Sequence, residues 1–367
     1  MHIRFADADE ILEWDRLVLA SPDEGTVYRS QANIDGMKLQ GYSPVHLVVD
    51  GQAVTGFTVR VPFLGTMWVL IGPPVTTAED MVRAARALAQ FAAAQNVSAV
   101  RMKTLLRHDP DSIAYLEQNG LHRTASWLED HTVVVDLTGS EDEVAARFKK
   151  RARKSIHRAE REGVRAVRVD TTDENCRIFY GMLSATSGGR FWIPGEQASS
   201  AILQRYASSG NGQMFFAVHD GEVVASSFVT TFGENALYFG AGSVRKNPGD
   251  PRLCGLGDSR AAYALQWEAM KWAREQGCLR YDLDGTPASW NMADPNHPRK
   301  GVGQFKTAFA KDVVDYIGTY QISAKKISGY AIRRAEVLRG RLEHSVAVNR
   351  ILGRSVRPNP DHVWLYE

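Results

Sequence analysis

Apolar and polar positions fall into the same order twice along this chain. From residue 46, strand-like runs HLVVD, GQAVTGFTV and MWVLIGP give way to AEDMVRAARALAQFAAAQN and then to SAVRMK. From residue 214 the order returns as MFFAVHD, GEVVASSFV and ALYFGAG, followed by GDSRAAYALQWEAMKWAREQG and CLRYDLD. Alternation predicts strands, and apolar residues every three or four positions predict helices. Each first pair of strands is joined by Asp-Gly, at Asp50-Gly51 and Asp220-Gly221, which predicts a tight hairpin. Each copy therefore reads as three antiparallel strands, a helix and a parallel strand. SIAYLEQNG and HTVVVDL are expected to complete the first copy, and QFKTAFAKD and VVDYIGTYQI the second. The predicted fold class is α/β (α+β), with two tandem domains, each a mixed, mainly antiparallel sheet flanked by helices. The expected boundaries are 1–140 for the first domain, 141–163 for a connecting helix, 164–325 for the second domain and 326–367 for a C-terminal helix or tail.

Between the copies lies a helix of a different kind. Val144, Phe148, Ala152, Ile156 and Ala159 form one apolar stripe over 141–162, and Gly163 stands where a C-terminal cap glycine belongs. Seven of the residues from Lys149 to Arg161 are Lys or Arg. A solvated surface helix gains from interleaved acids, which this one largely lacks. Charge over the 367 residues sums to only +2, so the basic residues are clustered rather than general. Lys325–Arg357 is the second cluster. Such asymmetry points to a polyanion partner. The three cysteines, Cys176, Cys254 and Cys278, are widely spaced, which suits a reducing compartment. No signal-peptide pattern and no membrane-length apolar run is present, so a cytoplasmic location is expected.

The repeated order is the layout of the N-acetyltransferase (GNAT) fold. Several stretches also resemble the Fem-type aminoacyl-tRNA-dependent aminoacyltransferases, which build the interpeptide branches of peptidoglycan on tandem GNAT-like domains. RKSIHRAEREGV is similar to that family's R-x-x-I-x-x-A-x-x-x-G-V helix end. AYALQWEAMKWAREQGCLRYDLDG is similar to its long helix and Y-D-[FL]-x-G, and GQFKTAFAKDVVDYIGTY to its F-K-x-x-F strand and Y-I-G-T-Y. SQANIDGMKLQGY is a weaker match to S-x-x-W-x-x-x-K-x-x-G. The resemblance covers about residues 25–325 and lacks the coiled-coil arm of longer members. The arginine with which some members grip a nucleotide-sugar diphosphate is not found after TSGGRFWIPGE, which turns attention to other amines as acceptors.

The resemblance implies transfer of an amino acid from charged tRNA to an amine acceptor, with no further cofactor and no metal. The acceptor would be a peptidoglycan precursor or a small-molecule biosynthetic intermediate. An aminoacyl ester is already activated, so positioning and oxyanion stabilisation are what such a protein must supply. The resemblance makes Lys306 the catalytic cation, Phe305 a stacking partner of the terminal adenosine, and Lys38 an acceptor-binding residue. On spacing alone, Lys306 is a lysine between two core phenylalanines. Asp282, Tyr281 and Asp284 end a strand where acids could orient the attacking ammonium, although Asp282 could equally cap the following turn. Tyr238 sits on the strand facing this region. Lys149, Lys150, Arg153, Lys154 and Arg158 are the expected tRNA phosphate contacts.

Two other readings compete. RLCGLG at 252–257 fits R-x-x-G-x-G, the loop that cradles a coenzyme A pyrophosphate, with Arg252, Gly255 and Gly257 as the phosphate loop of an acyl-CoA-dependent N-acyltransferase. The basic surface would also suit a non-catalytic RNA-binding module.

Overall fold

The computed structural model describes residues 1–126, 128–187, 193–243 and 260–344. Both predicted hairpins form. Asp50 and Gly51 have φ of 46° and 81°, and Asp220 and Gly221 have 50° and 81°. Paired left-handed residues of this kind match the twist of the strands they join.

In the first sheet, Ser43–Val49, Gln52–Val61 and Gly65–Ile71 run antiparallel, and Ala99–Lys103 lies parallel to the third. Helix Ala78–Ala94 makes the crossover, started by the Thr77 side chain, which accepts the Asp80 N–H. In the second sheet, Arg165–Val169, Gly212–His219, Glu222–Phe232 and Asn235–Ser243 are antiparallel in that order. Helix Ala261–Glu275 leads to Arg280–Asp282, parallel to Asn235–Ser243.

The last strand of each copy departs from the sequence reading. Val134–Asp136, expected to complete the first sheet, pairs with Arg280–Asp282 of the second. Thr319–Ser323, expected to complete the second, inserts into the first sheet between Ala99–Lys103 and His122–Thr124. The two halves thus exchange their closing strands. A short ladder, His131–Thr132 with Val314–Asp315, marks where the crossing chains meet. The halves also share a core: Trp14, Val18 and Ile34 pack with Phe179, Tyr206, Phe216 and Phe228.

The connecting helix is likewise broken where a continuous one was expected. Glu141–Arg147 and Lys150–Arg161 are separate helices, with Phe148 and Lys149 extended at ψ of 147° and 149°. The break is made by tertiary contacts. The Phe148 ring packs edge-on to Phe309 and Trp267, and the Lys149 N–H donates to the Ala308 carbonyl at 2.9 Å. The predicted stripe still holds, since Val144, Phe148, Ala152, Ile156 and Ala159 are all buried. Gly163, at φ 82°, closes the second helix as Val164 N–H reaches back to the Ala159 carbonyl.

Helix Lys326–His344 packs on the outer face of the first sheet through Ile332. Among the described residues no helix is long and apolar enough to cross a membrane.

Candidate active site

The site is built on the turn that follows Arg280–Asp282. Asp282 accepts the backbone N–H of Asp284 at 2.7 Å, closing a local turn in which Asp284 takes a left-handed φ of 61°. Aspartate tolerates that conformation and favours such side-chain-to-backbone turns. The turn presents the Gly285 carbonyl to Lys306, whose Nζ donates to it at 2.6 Å. Lys306 is not on a strand, as F-K-x-x-F suggested. It ends the short helix Lys300–Lys306, which drops the side chain into the interior, only 7% exposed. Its ammonium also lies 5.7 Å from the ring centre of Tyr238, a cation–π distance.

Burial lowers the Lys306 pKa, and Asp284 and Glu129 act against that shift. Asp284 is partly accessible, yet loss of water around its carboxyl pushes its pKa up to about 7, with Glu129 and Asp282 adding to the rise and Lys306 opposing it. Asp282 is raised by burial and drawn back by its hydrogen bonds with Thr132 and Asp284. A buried lysine thus lies within electrostatic reach of a carboxyl whose pKa is raised to about 7. Together they can polarise a carbonyl oxygen and take up a proton.

The segment Glu129–Thr132, which the sequence reading did not single out, wires this site together. Glu129 holds Arg299 in a two-point ion pair, one contact at 2.6 Å. Asp130 pairs with the buried Lys103. His131 Nδ1 lies 2.7 Å from Asp315 Oδ1, and the Thr132 hydroxyl bonds Asp282 and the Asp284 carbonyl. Gly285 lets the Glu129 carboxylate lie close beside it; a side chain there would force that carboxylate to shift. From the first half, Tyr28 joins the group, its pKa raised by burial and by Asp284 and Asp282. No local pattern marks these residues; the one available signal is the Glu-Asp-His-Thr run opening an apolar strand.

The other sequence-derived candidates are placed as follows. Tyr281 is a core residue, not a substrate contact: it is fully buried and its hydroxyl donates to Gln266 at 2.9 Å. Phe305 packs edge-on to Tyr263 and Phe309, with centroids 4.8 and 5.5 Å away. Lys38, in the last turn of helix Gln31–Leu39, lies 3.2 Å from Asp35, which also binds Arg205. Lys149, Lys150, Arg153 and Lys154 are exposed. Arg158 pairs with Glu162 at 2.6 Å, and Arg153 donates to the Ala146 carbonyl. Among the described residues no carboxylate pairs with Lys149, Lys150 or Lys154. Arg252, Gly255 and Gly257 lie outside the described residues.

Comparison with known proteins bears on the fold. Residues 146–291 match the acetyltransferase (GNAT) domain. The structure of FemX superposes with a TM-score of 0.71 at 16% identity, over 88% of this chain and 97% of that one. A conserved protein of unknown function from Bacteroides thetaiotaomicron VPI-5482 gives 0.56 at 12% identity, over 88% and 98%. No curated protein matches the sequence. Residues 146–291 are thus similar to a GNAT domain, within a fold shared with FemX.

Proposed function

We propose that this protein is an aminoacyltransferase that moves an amino acid from aminoacyl-tRNA to an amine acceptor, forming an amide. The observation that carries the reading is the junction of the basic helix with the Lys306 segment. Lys149, at the start of that helix, is hydrogen-bonded to Ala308, two residues from Lys306. A phosphate backbone lying on Lys149, Lys150 and Lys154 would therefore approach the buried ammonium from that side. The likeness in fold to FemX and the motif resemblance agree with this direction.

In the proposed step the acceptor nitrogen attacks the ester carbonyl, and a C–N bond forms as the bond to the ribose oxygen breaks. The acceptor ammonium first loses a proton to the Asp284 carboxylate. Lys306, held by the Gly285 carbonyl and Tyr238, faces the negative charge that develops on the carbonyl oxygen. The leaving ribose oxygen takes up the proton that the attacking nitrogen sheds as the amide forms, and tRNA departs with Asp284 still holding the first proton. Asp282 and Thr132 position the turn, and no further cofactor is invoked.

The GNAT-domain match supports a second reading, an acyl-CoA-dependent N-acyltransferase. Donor identity separates the two. The protein would be incubated with total tRNA charged with radiolabelled amino acids, and separately with labelled acetyl-CoA, over a panel of amines and cell extract. Label arriving from tRNA, sensitive to RNase and lost in Lys306→Ala, is the expected result. Label arriving only from acetyl-CoA and lost in Arg252→Ala overturns it.

A further inference from the structure

The outer face of the C-terminal helix has no role in the proposed chemistry, and it is unusual in composition. Ile327 is 87% exposed, and Tyr330 and Leu338 are more than half exposed. At 100° per residue these three project from one side of the helix, with Lys326 and Arg334 among them. Glu336 is the one acid between Lys325 and Arg341, and it is turned inward to Arg101 and Thr124. Among the described residues the outer face thus carries apolar groups and cations and no carboxylate. Its first turn also has no acid, although a helix N-terminus favours negative charge.

Phe63 extends this surface. It sits at the tip of the turn between Gln52–Val61 and Gly65–Ile71, fully exposed and at a φ of 64°. A bulky residue in the left-handed region is disfavoured, and an exposed ring recovers none of that cost within the fold. Whatever this phenylalanine contributes lies outside the folded chain. Its turn is tied to the helix: the Ser98 hydroxyl donates to the Leu64 carbonyl at 3.0 Å, and Ser328 donates to Ser98 at 2.9 Å. Phe63 and Ile327 each stand one residue from an end of that chain of bonds. No acid occurs from Val59 to Thr66, and Arg60 is exposed.

We propose that Phe63 and the Ile327–Leu338 face form a docking surface for an anionic membrane. The aromatic ring and the aliphatic side chains would enter the boundary between headgroups and acyl chains. Lys326 and Arg334 would meet the headgroup phosphates, and those phosphates would complement the helix N-terminus. The charge decides the occupant: the patch is complementary to a negatively charged apolar interface and repels a second copy of itself. This surface is independent of the donor assigned above, and its test does not use activity.

The test is co-sedimentation of the full-length protein with vesicles of phosphatidylcholine, alone or mixed with phosphatidylglycerol. Binding to the mixed vesicles only, weakened by salt, is expected. Combining Phe63→Gly, Ile327→Ser and Tyr330→Ser is expected to reduce it roughly tenfold with the circular dichroism spectrum unchanged. Lys150→Glu with Lys154→Glu, on the separate basic helix, is expected to leave it unaltered. The proposal is overturned by absence of sedimentation, by equal binding of the apolar variant, or by loss of binding in the Lys150/Lys154 variant alone. It is also overturned if the protein self-associates through this patch, becoming monomeric when Phe63 and Ile327 are replaced.

Discussion

Lys306 and Asp284 depend on each other. The lysine is kept in the interior by the Gly285 carbonyl and by the negative charge of Asp284 and Glu129. Lys306→Met keeps the length of the side chain and removes the charge; kcat is expected to fall by on the order of 10²–10³, as when an oxyanion donor is deleted. Steady-state kinetics of the purified variant, with its folding checked by circular dichroism, measure this. Asp284 sets the pH dependence. Its carboxyl ionises near pH 7 in the folded protein, against about 4 in an unfolded chain. The rate is therefore expected to rise roughly tenfold per pH unit below 7 and to level off above it, and Asp284→Asn to remove that limb. Stability runs the other way. A carboxyl whose folded pKa is raised contributes most at acid pH, and that contribution declines as pH climbs from about 4 through 7. Urea titrations of the two proteins across this window read the difference. Of this chemistry, Lys306 and the Asp-Leu-Asp-Gly turn were visible in the sequence. Glu129, Thr132, Arg299 and Tyr28 were not, because they reach the site from distant segments and no local period marks them.

At the scale of elements, the Asp-Gly hairpins and the long helices follow directly from local chemistry. The break at Phe148–Lys149 does not. The apolar spacing runs through it without interruption, and the Ala308 carbonyl with the Trp267 and Phe309 rings, all far along the chain, pull the backbone out of the helix. The consequence is a short cationic helix aimed at the Lys306 segment. Its exposed lysines stabilise little within the fold, so replacing them is expected to change binding and not folding. Lys150→Ala with Lys154→Ala should weaken tRNA uniformly across species and lower the salt slope of log Kd by about 2. Filter binding over a series of salt concentrations measures both. An unchanged slope would remove this helix from the tRNA contact.

The whole molecule is joined by its exchanged strands. Residues 1–140 alone would lack Thr319–Ser323, leaving Ala99–Lys103 paired on one side only, with Gly65–Ile71, and His122–Thr124 without a partner strand. The second sheet alone would lose Val134–Asp136 from its edge. With the shared core around Trp14 and Phe228, the halves are expected to unfold as one cooperative unit, with coincident transitions by fluorescence and circular dichroism. Two separated transitions would mean that each half stands alone. The repeat was readable in the sequence, but the exchange was not. A strand of three to five residues carries no local mark of which partner it will choose, and the tandem order suggests the neighbour in sequence. The exchange also places the site, since His131–Thr132 and Val314–Asp315 cross beside Asp282. The most direct measurement on the proposed function is amide formation from purified, pre-charged tRNA by the wild type and by Lys306→Met. RNase-sensitive product formed by the wild type and reduced at least a hundredfold in the variant is the predicted result. Product formed equally by both, or by neither while acetyl-CoA serves as donor, would contradict it.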